Sequence, residues 1–113
     1  MILRSAWKSA IMRFVLDNLG RMGQDDVDAW LHDEIAFAEL LEPALRNLTP
    51  YRDMVLRELY QISPSEVFDV WRLEHPEILF PDTDVAIVKI GQELLAIRSI
   101  VLSFEAGSEA ESS

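Results

Sequence analysis

The chain has 113 residues, half of them hydrophobic and 27% charged, with no cysteine and a formal net charge of −10. That composition describes a single globular domain whose core can stand without disulfides or metals. It excludes disulfide frameworks, thiolate catalysis, iron–sulfur clusters and cysteine-bearing zinc sites, and it fits a reducing, cytoplasmic compartment. The charge is uneven: residues 1–24 hold Arg4, Lys8, Arg13 and Arg21 against Asp17, a local +3, which leaves −13 for the rest. The acidic body repels nucleic acid and anionic membrane, whereas the first segment can attract them.

Residues 2–19 read as an amphipathic helix. Leu3, Trp7, Ala10 and Phe14 follow one seam and Ile11, Val15, Leu19 and Met22 an adjacent one, with Gly20 placed to end the helix. Arg4, Lys8 and Arg13 interrupt the apolar run, so no secretory signal forms; the basic, serine-containing, acid-free start also has the look of an organelle presequence. Asp25, Asp26 and Asp28 crowd the positive end of a second helix, expected over 26–41, which must kink or restart near Pro43. Thr49-Pro50 opens a third helix, 50–62, and Ser63-Pro64-Ser65-Glu66 has the form of a capping box opening a fourth, 64–74. Ile78, Leu79 and Phe80, between Pro76 and Pro81, are expected to tuck back onto the core.

The last segment organises the rest. From 83 to 105, with Asp82 or Thr83 as cap, Ile87, Ile90, Leu94, Ile97, Val101 and Phe104 recur at spacings of three and four, and Val88, Leu95 and Leu102 form a second row every seven residues. A helix of that length runs about 34 Å at ~1.5 Å per residue, and helices of ten to twelve residues are too short to sheathe it. Residues 107–113 are small and acidic and predict a disordered tail after a single domain over 1–106. The fold expected is all-α, a compact bundle of about five helices. A rival reading makes 85–102 a β-hairpin turning at Gly91-Gln92, which with the two preceding helices gives a winged-helix outline.

Chemistry has few residues to use. His32 and His75 are the only imidazoles. Asp25, Asp28, His32 and Glu39 share a helical stripe that could hold a divalent ion, but solvated acids on an exposed face explain it as well. The glycines form no phosphate cradle, and no acid/base pair or cofactor site is identifiable. The expectation is a non-catalytic adaptor or assembly subunit that forms a homodimer or binds another protein through its first and last helices. The surface expected for this comprises Leu3, Trp7 and Phe14 with Ile87, Val88, Ile90, Leu94, Leu95, Ile97, Val101, Leu102 and Phe104. The alternative is a small winged-helix regulator in which Arg4, Lys8 and Arg13 contact nucleic-acid phosphate; against it, those bases can equally pair with the chain's own acids.

Overall fold

Among the described residues there are seven α-helices, one 3-10 turn and no strand. The computed structural model describes the backbone from Ile2 to Ser112 and side chains from Trp7 to Phe104. Helices α1 (Ile2–Leu19), α2 (Gln24–Leu31), α3 (Phe37–Leu40) and α4 (Glu42–Arg46) are followed by the 3-10 turn Thr49–Tyr51. Helices α5 (Arg52–Gln61), α6 (Pro64–Glu74) and α7 (Thr83–Ser112) complete it. The residues from 85 to 102 form one uninterrupted helix, so the hairpin and the winged-helix outline fall. The three-and-four spacing across Gly91 outweighs the β-branched content of 85–90.

The second predicted helix is two. It stops at Leu31 because Asp33 takes a left-handed conformation, φ 61°. The Glu34 N–H then reaches the Ala29 carbonyl at 2.8 Å and the Asp33 N–H the Trp30 carbonyl at 3.1 Å. This is the double-bonded helix end that a glycine usually supplies; here an aspartate does it, which composition does not advertise. Helix α3 ends at Leu40 and α4 begins at Glu42 with Pro43 in its first turn, so the break expected there is present.

Local signals elsewhere hold with changed details. Ser63 precedes α6 and Pro64 opens it, but the Ser63 hydroxyl makes no capping bond and lies 3.4 Å from Ser65 Oγ. Thr49 turns its hydroxyl back to the Arg46 carbonyl, at 2.7 Å, and the first turn after it is 3-10. Asp82 is the cap of α7, accepting from the Asp84 and Val85 N–H groups at 3.0 and 3.2 Å. At its other end α7 runs past Glu105, since Glu105, Ala106, Glu109 and Ala110 favour propagation of a helix already formed. The side chains of that acidic tail lie outside the described residues.

The molecule measures 49 × 34 × 20 Å, and its long axis is close to the length of α7, about 45 Å. Helices α2 to α6 all pack on α7, while α1 packs on α5 and α6. Among the described side chains of α1, Ile11, Val15, Leu16 and Leu19 are buried in the core. An edge-to-face run of aromatics links α2 to the 75–82 connection: Trp30 to Trp71 at 5.7 Å, Trp71 to Phe80 at 5.0 Å, and Phe80 to Phe68 at 5.0 Å. Ile78 and Phe80 dock there as expected, but Leu79 faces solvent. Its backbone is held instead, the Gln24 side-chain amide accepting from the Leu79 N–H at 2.8 Å and donating to its carbonyl at 3.0 Å.

Truncation should separate the two rows of α7. Ile97→Ala, at a site 1% exposed, is expected to lower unfolding free energy by about 2–5 kcal/mol in urea titration. Leu95→Ala, at a site 57% exposed, should cost less than about 1 kcal/mol. Equal losses would place both rows in the core.

Candidate interaction surface

The two apolar rows of α7 have opposite fates. Ile90, Leu94, Ile97, Val101 and Phe104 are buried, with Ala86, in the chain's own core, and Ile87 is half-buried at its edge. Six residues of the expected surface are thereby engaged by α2 to α6 and are not offered to a partner; periodicity marks an apolar row without saying what covers it. The other row is open. Val88, Leu95 and Leu102 are 58%, 57% and 44% exposed, and Val85, 43% exposed, extends the row toward the start of the helix.

Within the buried row stands a carboxylate. Glu93 is 7% exposed and accepts three N–H groups: the Trp30 indole at 2.5 Å, and the Phe37 and Ala38 backbone at 2.8 and 3.1 Å. Phe37 and Ala38 are the first two residues of α3. A side chain of α7 therefore caps the free amide end of another helix from inside the protein. The sequence carried a signal for it, because Glu93 falls three residues after Ile90 and four before Ile97, on the seam itself.

Shallow troughs flank the open row. On one side Tyr60, Pro64, Gly91 and Arg98 border a depression of about 390 Å³. Tyr60 of α5 is exposed, and the Arg98 guanidinium lies over its ring, 3.6 Å from the centroid. Gly91 lets the start of α6 approach, since a Cβ there would stand 3.3 Å from Pro64 Cγ. On the other side Leu31, Asp33 and Lys89 border a depression of about 330 Å³, which reaches past the row to Asp84 at the start of the helix. The Lys89 ammonium is paired with the Asp33 carboxylate and lies 5.8 Å from the centre of the Trp30 ring.

Helix α1 contributes little to this surface. Trp7 packs on Tyr51 with ring centres 5.2 Å apart, Phe14 is half-buried, and both pack against the core; the side chains of Leu3 and Arg4 lie outside the described residues. The bases of α1 meet the acidic body: Lys8 is 3.8 Å from Glu66, and Arg13 grips both oxygens of Glu74 at 2.7 Å while its Nε donates to Asp17 at 2.9 Å. The hydrogen bond from Arg13, followed by its charge, holds the Glu74 carboxyl below its ordinary value of 4.5.

The acidic stripe of the second predicted helix does not survive as one face. Glu39 belongs to α3, beyond the Asp33 turn, and His32 caps α2 with Nδ1 2.7 Å from the Asp28 carbonyl oxygen. His75 closes α6, its Nδ1 3.1 Å from Glu77, and its ring lies so close to Gly20 that a Cβ there would come within 2.7 Å of Nε2. A hollow of about 430 Å³ lined by residues including Arg21, Asp26, Phe37 and Leu40 has apolar walls and neither imidazole nor hydroxyl nucleophile. Among the described residues no group of three or more potential ligands is placed to hold a metal, and no helix is long and apolar enough to cross a membrane. No family model, curated protein or solved structure matches the chain.

Two measurements check these assignments. Glu93→Ala leaves three buried donors unsatisfied and should cost at least about 3 kcal/mol, with loss of amide protection at Phe37 and Ala38 by hydrogen exchange while α6 stays protected. Glu74, held below its unfolded value, contributes stability that is present above about pH 4.5 and drains away as pH falls through the folded value. In acid titration, Glu74→Gln should therefore be less stable than the parent at neutral pH and flatter on the acid limb.

Proposed function

We propose that this chain is a non-catalytic protein-binding module, an adaptor or assembly subunit, that meets its partner through the open row of α7. The observation that carries the reading is the row itself: four aliphatic side chains, Val85, Val88, Leu95 and Leu102, exposed on the one side of α7 that its own helices leave uncovered. Scattered exposed leucines are ordinary in a small domain, but an aligned row between two troughs is the form that helix-docking surfaces take. The cytoplasm is the compartment this reading assigns, in keeping with a chain that contains no cysteine.

The row replaces the wider surface expected from the sequence. The buried row is occupied, and Trp7 and Phe14 are partly covered, so α1 acts through the α5 and α6 faces it packs on. Lys8 and Arg13 are already paired with acids of the body, which supports the protein-binding reading over the nucleic-acid alternative.

A photo-reactive residue at position 95 tests the reading, with position 73 as control, because Leu73 is an equally apolar and more exposed side chain, on α6. Irradiation in the source cells should give one dominant cross-linked polypeptide from position 95, either this chain or another, and a weak smear from position 73. Equal, diffuse labelling from both would defeat it.

A further inference from the structure

We infer that the occupant of the open α7 row is a second copy of this chain, docked antiparallel through the same row, with the two-fold axis passing beside Gly91. The inference rests on the protein-binding reading above and goes further by naming partner and register.

The open side has the pattern of a helix-pairing seam. Val85, Val88, Gln92, Leu95, Ser99 and Leu102 follow one another at steps of three, four, three, four and three residues, the repeat by which two helices interlock. The core row lies on the opposite side, so pairing would leave the buried contacts of α7 in place. The row and the troughs beside it can also serve two identical copies at once, as a two-fold interface requires.

Charge selects the partner. Twenty acids are spread over 113 residues, yet between Val85 and Phe104 the only one is Glu93, which is buried. An acidic protein that meets its own copy must clear acids from the contact, whereas one that meets a basic partner gains by keeping them there. Two charges of the open side have no ion-pair partner among the described residues, Asp84 and Arg98. They stand fourteen residues apart, two full seven-residue steps, and so border the seam on the same side. Their midpoint is residue 91, a position with no side chain. In an antiparallel pair centred there, Asp84 of each copy lies beside Arg98 of the other, twice over. Lys89, which then comes near its own counterpart across the axis, is already neutralised by Asp33 and only 12% exposed. A parallel pair would set Asp84 against a lysine that is already engaged and leave Arg98 without an acid.

The size of the seam sets the strength. From Asp84 to Leu102 it spans about 27 Å at ~1.5 Å per residue, and half of its middle is polar. Such a patch falls near the low end of stable interfaces, about 1,200 Å² in total, the size class of weak and transient pairs.

The absence of cysteine makes the register directly readable, because any introduced thiol is the only one. Under mild oxidation Gln92→Cys, one residue from the axis, should give a disulfide dimer in high yield. Leu102→Cys, whose copies lie about 33 Å apart along the seam at ~1.5 Å per residue, should form no disulfide. Sedimentation of the unmodified chain should show a dimer that dissociates on dilution. Arg98→Asp should weaken it at least tenfold, and adding Asp84→Arg should restore it, with circular dichroism confirming that both variants stay helical. Cross-linking at both positions would mean a parallel pair and overturn the register. A chain that stays monomeric at hundreds of micromolar, with neither thiol cross-linking, would overturn self-pairing; the protein-binding reading would then stand or fall on whether position 95 labels a different polypeptide.

Discussion

One carboxylate ties the bundle together. Glu93 sits in the apolar row of α7 and yet its charge is met by three donors, two from the start of α3 and one from Trp30. A four-residue helix has no stability of its own, because nucleation costs more than so few hydrogen bonds return. Helix α3 exists because its free amides are satisfied by a side chain of α7 and its first two side chains, Phe37 and Ala38, are buried. The same carboxylate fixes Trp30, which anchors the aromatic run through Trp71 and Phe80 to Phe68. A buried charge without donors would be costly, and buried donors without an acceptor would be costly too. Each of these groups is tolerated only because the others are there.

Much of this architecture could be read from residue order. Helix α1 ends where Gly20 directs, and α6 begins at Pro64 and ends at Glu74, since proline and glycine act locally and tertiary contacts rarely override them. What escaped were features that depend on distant partners or on rare backbone states. Asp33 ends α2 in a conformation most residues avoid, and nothing in its neighbours announces it. Which of the two rows of α7 lies inside is a matter of what packs on it, and hydrophobic period alone ranks them equally. Glu93 was legible in principle as an acid in step with Ile90 and Ile97, but only its three donors, 55 to 63 residues away in sequence, explain it.

The electrostatic arrangement has a similar division of labour. The bases of α1 look from the sequence like a site for an anionic ligand, and the structure spends Lys8 and Arg13 on the acids of α6. Exposed pairs of this sort add little stability individually. Their effect is to fasten α1 in register on α6 and to blunt the one basic region of an otherwise acidic molecule. The strip of α7 from Val85 to Phe104, by contrast, carries no acid except the buried Glu93.

The central place of α7 also bears on how the protein is made. All the helices from α2 to α6 pack on an element that follows them in the chain, so at the ribosome they emerge facing an unfilled slot. Trp30 must wait until Glu93, 63 residues later, has been synthesised before its indole finds an acceptor. Contacts of such sequence separation slow folding and expose apolar surface meanwhile. A nascent chain of this protein is therefore committed to its fold late, and any transcript or cleavage that removes α7 leaves five helices without the column they were shaped around.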